Sequence, residues 1–255
     1  MIDFPLSIAG LTDTGRVRER NEDAIAWDAE IGAVLLADGM GGHSAGDVAS
    51  HLALDTLHEV LRPALERPLR IRPNRDMSRH ATLVRRAINK ANERIHAVAQ
   101  QDPARAGMGT TLAMALFHDA RVVIGHVGDS RVYRLRGGRL ERLTSDHSVA
   151  EELVRQGAMG EEDVAASPYR HVITRALGLE PKVTATIEEH EVVTGDVFLL
   201  CSDGLSDLVA DAELEAVLTG LDPDSTWDQA VHALAERANA LGGEDNISVI
   251  IVQAG

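Results

Sequence analysis

Two short apolar runs, far apart in the chain, end in the same way. Ala-Val-Leu-Leu-Ala at 33–37 runs into Asp38-Gly39, and Val-Phe-Leu-Leu-Cys at 197–201 runs into Ser202-Asp203-Gly204. Runs of this length, closed by turn-forming residues, read as buried strands rather than helices. A strand points its last side chain in a defined direction, and a glycine beside it lets neighbouring main chain approach closely. The repeated ending suggests two related halves, each presenting a carboxylate at a strand end. Two more aspartates follow the pattern: Asp129 closes the run at 122–128, and Asp245 stands just before the run at 247–252. One Asp-Gly pair is ordinarily a turn. Four carboxylates at four strand ends imply a shared ligand, and carboxylate with carbonyl oxygen suits a hard divalent cation, Mg2+ or Mn2+.

The remaining pattern falls around these ends. Strands are expected at 7–11, 24–27 and 33–37, then a helix from an N-cap at Ser44 to about Leu61, with Val48, Leu52, Leu57 and Leu61 at helical spacing, and a second helix over 77–100. Apolar runs at 111–117, 122–127, 132–135 and 140–143, joined by turn-like His118-Asp119 and Gly137-Gly138, read as one antiparallel meander. A helix at 148–156 leads into an acidic stretch to about 169, broken by glycine and proline and without clear period, that reads as a mobile loop. Strands at 183–192 and 196–201, helices at 212–218 and 227–240, and a strand at 247–252 complete the chain. Groups of strands followed by pairs of helices, twice over, predict an α+β fold of stacked sheets faced by helices. With 255 residues, 44% of them hydrophobic, the chain can bury the core of one domain, 1–255.

Charge narrows the function. A formal charge of -15 opposes binding to nucleic acid or to anionic lipid, which call for a basic face. A phosphorylated substrate is compatible only with strong local positive charge, and metal ions are the obvious supply. The basic stretch Arg67, Arg70, Arg72, Arg75 and Arg79 reads as a solvated loop. Cys201 is the single cysteine, and Asp3 and Asp13 argue against a signal peptide, so a reducing, cytoplasmic setting is expected. No apolar run approaches the roughly 20 residues that span a bilayer. The glycines at 39, 41 and 42 do not match a dinucleotide loop, and Asp38 would repel its pyrophosphate. The aspartates lack the alternating ligands and closing glutamate of a helix-loop-helix calcium site. Cys201 as a nucleophile would want an arginine where Asp207 stands.

Taken in order, the motifs resemble the metal-dependent protein phosphatases of type 2C, bacterial members in particular, over nearly the whole chain. The series is Val-Arg-Glu-Arg-Asn-Glu-Asp at 17–23, Ala-Asp-Gly-Met-Gly-Gly-His at 37–43, Gly-Thr-Thr at 109–111 and Val-Gly-Asp-Ser-Arg at 127–131. It continues with Leu-Thr-Ser-Asp-His-Ser at 143–148, Ile-Thr-Arg-Ala-Leu-Gly at 173–178, Cys-Ser-Asp-Gly-Leu at 201–205 and Glu-Asp-Asn-Ile-Ser at 244–248. The resemblance implies a four-layer α-β-β-α sandwich of two mainly antiparallel sheets, with 145–169 as a variable flap beside the catalytic centre. It implies that Asp38 bridges two ions, that the Gly39 carbonyl joins one, that Asp203 and Asp245 hold the other, and that Asp129 with Asp203 forms a looser third site. Glu22, Asp23 and Asn246 would support the ions and their waters, and Arg18 would clamp the phosphate, a role its planar fork suits. Thr110, Thr111 and Arg131 would serve packing or hydrogen bonding, and His126, His147 and His171 a structural purpose.

The implied activity is hydrolysis of phosphoserine and phosphothreonine in proteins by water that two divalent ions acidify, with no covalent phosphoenzyme. The partners implied are substrates of a serine/threonine kinase, with neither nucleic acid nor membrane, and a monomer is expected. Two other readings compete: a catalytically silent module that binds phosphoproteins, disfavoured by the intact aspartates, and a hydrolase of small phosphate esters. One departure stands out. Many eukaryotic relatives carry a histidine, proposed as the leaving-group acid, where this chain has Met40, whose thioether donates no proton. His43 is the rival acid, with loop and helix packing the preferred reading of that residue.

Overall fold

The computed structural model describes residues 4–41, 45–67, 69–73, 76–160, 163–164, 167–220 and 226–255. Strand β3 (Ala33–Met40) shows how the layers arise. Leu35 and Ala37 turn to one side, against helix α1 (Ala45–Leu65) and helix α2 (Arg79–Gln101), while Val34 and Leu36 turn to the other, against a second sheet. A strand buried on both faces reads as an unbroken apolar run, which is why 33–37 lacks alternation. The sheet containing β3 runs in the order β2 (Asp23–Asp28), β3, β5 (Leu112–His118), β6 (Arg121–Val127) and β9 (Thr186–Glu191), with the two-residue β4 (Gly109–Thr110) beside the end of β3.

The second sheet runs β1 (Leu6–Asp13), β11 (Ile247–Ala254), β10 (Val197–Cys201), β7 (Arg131–Arg136) and β8 (Arg139–Arg142), every pairing antiparallel. Its inner face brings Val132, Phe198, Leu200, Ile250 and Val252 against Val34, Phe117 and Ile124. Phe117 meets Phe198 edge to face at 5.2 Å between centroids, a geometry aromatic rings favour. Its outer face packs Leu199, Val249 and Ile251 against helix α5 (Asp211–Thr219) and helix α6 (Trp227–Ala240) through Leu214, Leu218, Val231 and Leu234. Each such leucine or valine contributes about 1.5–3 kcal/mol by leaving water. The layers are therefore α-β-β-α, as expected.

The expected meander is not one meander. Strands β5 and β6 form a hairpin in one sheet and β7 and β8 a hairpin in the other, because Gly128, at a φ of 100°, turns the chain across the sandwich instead of back along the same sheet. Other boundaries shift less. Helix α1 runs four residues past Leu61, through Pro63, and the strand expected at 183–192 begins at Thr186. Helix α3 (Val149–Arg155) is capped by Ser148, whose hydroxyl accepts from Glu151 N–H at 3.2 Å. A four-residue helix α4 (Asp203–Ser206) follows β10 directly. The proposed N-cap Ser44 lies outside the described residues, as do Gly42, His43 and Arg75. Among the described residues no helix is long and apolar enough to cross a membrane.

Candidate metal centre

The C-terminal ends of β3, β6 and β10 and the N-terminal ends of β2 and β11 meet at one end of the sandwich, around a cleft of about 510 Å³. Asp38, Asp129, Asp203 and Asp245 all line it, with Arg18, Glu22, Gly39 and Asn246. The four aspartates picked out along the chain are thus brought together.

Asp38 is held by its main chain. Its N–H donates to Thr111 Oγ1 at 3.1 Å, and its carbonyl accepts from Thr111 N–H and Thr110 Oγ1, both at 2.8 Å, so its carboxylate is left for the cleft. Gly39 must be glycine: a Cβ there would lie 2.2 Å from Gly46 O and 2.5 Å from Glu22 O, where the first turn of α1 presses on the end of β3. Gly204 is under the same constraint, since its Cβ would lie 2.1 Å from Asn246 O. The two Asp-Gly ends that opened the sequence reading are therefore close approaches of main chain, not turns.

The electrostatics are unfavourable for the protein alone. Asp38 is pushed well above the usual carboxylate range by burial, then by the charges of Asp23 and Asp203. Burial lifts Asp203 to about 6, with Asp207 and Asp245 adding to it, and lifts Asp129 to about 8, with Asp203 adding. Asp23, directly opposite Asp38 in the strand pairing, is lifted to about 7 by burial and by the charges of Asp203 and Asp245. Glu22 is raised by burial, against the opposing effect of the Gly46 and Asp47 amides. Both Asp23 oxygens, Asp203 Oδ1 and Glu22 Oε1 are buried with no hydrogen-bond partner. A buried carboxylate oxygen without a donor is costly, and divalent cations relieve that cost together with the mutual repulsion. The donor set, all carboxylate and carbonyl oxygen, fits Mn2+ or Mg2+.

Arg18 stands half-exposed at the rim, donating from Nη2 to Asp245 Oδ2 at 2.7 Å. The other Asp245 oxygen accepts from Asn246 N–H at 2.8 Å. Asn246 directs its whole amide at main chain: Oδ1 accepts from Glu22 N–H at 2.8 Å, and Nδ2 donates to Thr14 O and Arg20 O, each at 2.9 Å. It stitches the loop that carries Arg18 to the strand end that carries Asp245.

Two groups in the cleft were not expected there: His171, read as structural, and Asp207. His171 lines the cleft with Nδ1 2.9 Å from Asp207 Oδ2, and with Asp203 these offer three ligand atoms within 4.8 Å of one another, the one such group among the described residues. Asp207 lies one helical turn beyond Asp203, a spacing that could have been noticed; His171 sits in an aperiodic stretch with no signal. The excursion expected at 145–169 is also longer, since its neck is the bridge between Ser148 and Ile173, and Arg170, His171 and Ile173 line the cleft. Met40 lines the cleft as well. Cys201 does not: it is fully buried in the outer core, with its thiol pushed up to about 12 by burial, which excludes it as a nucleophile.

The chain is similar to known proteins along almost its whole length. The family described as Protein phosphatase 2C matches residues 14–247. The chain is 38% identical over 245 residues to the serine/threonine phosphatase stp of Listeria monocytogenes, covering 95% of this chain and 93% of that one. It is 38% identical over 251 residues to the serine/threonine protein phosphatase PstP of Mycobacterium tuberculosis, covering 98% of this chain and 45% of that longer protein. A crystal structure of the M. tuberculosis phosphatase PstP/Ppp aligns with a TM-score of 0.86 at 35% identity over 98% of this chain and 99% of the other. The catalytic domain of PstP in complex with two manganese ions aligns with a TM-score of 0.82 at 35% identity over 98% of each chain.

Proposed function

Because the chain belongs to the protein phosphatase 2C family, we infer that it hydrolyses phosphoserine and phosphothreonine in proteins at the cleft end of its sandwich, as a metal-dependent phosphatase. The observation that carries this reading is the group of buried carboxylates with partnerless oxygens facing a rim arginine. Asp38, the Gly39 carbonyl, Asp203 and Asp245 would hold two ions, Asp129 with Asp203 a third, and Glu22 and Asp23 would accept from the water around them. When bound, such ions acidify water to a usable nucleophile and neutralise charge on the phosphoryl oxygens.

The chain's own residues supply the rest. Arg18, oriented by Asp245, presents a forked donor to the phosphoryl oxygens, and Asn246 keeps its loop from drifting away from the metal ligands. Met40 cannot protonate the departing oxygen, so a poor alkoxide leaving group is helped less than an aryl one. The segment from Ser145 to Ile173 meets the parts of a substrate beyond the phosphoryl group as well as the cleft, and selects among phosphoproteins, the products of a serine/threonine kinase. One domain, 1–255, acts as a monomer in the cytoplasm. Mn2+-dependent phosphate release from a phosphothreonine peptide, lost on chelation and reduced about 10³-fold in D38N, is the expected result. Full turnover in chelator would overturn the reading.

A further inference from the structure

His147 is buried, does not line the cleft, and lies directly behind Asp129. Its Nδ1 accepts from Gly128 N–H at 3.1 Å, and its own N–H donates to Gly128 O at 2.9 Å. With Nδ1 an acceptor, the ring proton is on Nε2, which donates to Thr186 Oγ1 on β9 at 2.9 Å, while Arg175 Nη1 lies 3.3 Å from the same nitrogen. The ring stacks on His126 at 4.5 Å, and burial, with His126 and Arg175 beside it, pushes it down to about 3. On its far side Gly128 is equally confined, since a Cβ there would lie 2.7 Å from Thr111 Cγ2. The peptide leading into Asp129 is thus gripped between Thr111 and His147.

The same residue closes the neck of the cleft-lining excursion. His147 O accepts from Thr174 N–H at 2.7 Å, Ser148 bridges Ile173, and Val149 N–H donates to Val172 O at 2.8 Å. Arg170 and His171, which reach the cleft, stand just before the returning strand of that neck. We propose that His147 is a positioning residue: it clamps the Gly128 peptide, fixes the direction of Asp129, and ties that aspartate to the neck so that the two move as one. A buried group behind a metal ligand acts on the metal by fixing the ligand's orientation, and its loss commonly weakens binding by about 10–100-fold. The proposal rests on the reading of Asp129 as a ligand of the most weakly held ion.

Amide hydrogen exchange and Mn2+ titration of the full chain test it, on H147F, H147N, T186V and D129N. H147F keeps an aromatic ring and removes its three polar contacts, to Gly128, Thr186 and Arg175; it is expected to raise exchange at 128–130 and at 172–174 together and to weaken the weakest Mn2+ about tenfold. H147N, whose side-chain oxygen can stand near the place of Nδ1, is expected to restore most of the protection at 128–130. Unchanged exchange at 128–130 in H147F, or equal exposure in H147F and H147N, overturns the clamp. Should H147F not fold, H147N and T186V carry the test: H147N removes the Nε2 contacts and T186V the Thr186 contact, each sparing the Gly128 contact, and lost protection at 128–130 in either overturns it. If D129N leaves every Mn2+ affinity unchanged, the ligand reading of Asp129 fails, while the exchange data still decide the clamp.

Discussion

Two clusters of buried charge lie on either side of Ser130 and are settled in opposite ways. Arg131 meets Asp146 through Nε at 3.0 Å and Nη2 at 2.7 Å, and Arg136 meets Asp196 through Nε at 2.7 Å and Nη2 at 2.6 Å, so those carboxylates carry their own cations. Beside Asp129, Asp38, Asp203 and Asp23 have no arginine partner, and both Asp23 oxygens and Asp203 Oδ1 are buried without a donor; the one arginine of the cluster, Arg18, pairs with Asp245 at the rim. The contrast separates structural charge from functional charge without reference to any relative. Where the fold needs a buried carboxylate it provides an arginine, and where it withholds one the neutralising charge comes from outside.

That contrast breaks most sharply in stability. D146N leaves Arg131 buried and unpaired and is expected to cost about 3–5 kcal/mol, read by denaturant unfolding. D38N removes an unwanted charge and is expected to change the stability of the chelator-treated protein by less than about 1 kcal/mol. Similar losses in both would erase the distinction.

The pH dependence sharpens it. In chelator, Asp203, Asp23 and Asp129 titrate near 6, 7 and 8, above the ordinary carboxylate value, so between pH 4 and 8 the folded state binds more protons than the unfolded one. Stability must then fall as pH rises through that window. The melting temperature of the chelator-treated protein is expected to decline from pH 5 to pH 8, and saturating Mn2+ to reverse the trend. A flat profile in chelator would show that the acidic cluster is not strained.

The smallest effect is expected at the rim. Arg18 is half-exposed, so R18A should leave stability within about 0.5 kcal/mol while raising KM for a phosphopeptide about tenfold. A loss confined to kcat would place Arg18 with the transition state rather than with substrate capture.

Much of this was legible in the chain because it is local. The strand ends at Asp38 and Asp203, the helices at α2 and α6, and the apolar runs of β3, β5 and β10 each follow from a few neighbouring residues. The crossing at Gly128-Asp129-Ser130 was not, because a turn within one sheet and a step between sheets draw on the same glycine, and the choice is made by distant partners in β10. His171 and Asp207 were missed for a related reason: residues 36 positions apart meet only after the excursion folds over the cleft. Asn246, expected by resemblance to support the ions, uses its amide to hold the Arg18 loop and the Glu22 N–H, a role its place in the chain does not signal. Side-chain direction, unlike strand position, was not written in the spacing.

The central claim is that the partnerless carboxylates are built for divalent ions. Isothermal titration of Mn2+ into chelator-stripped protein tests it directly, comparing the parent chain with D38N and with D196N as a control from the arginine-paired class. At least two ions are expected in the parent, the loss of at least one in D38N, and no change in D196N. Equal stoichiometry and affinity in the parent and D38N would contradict it.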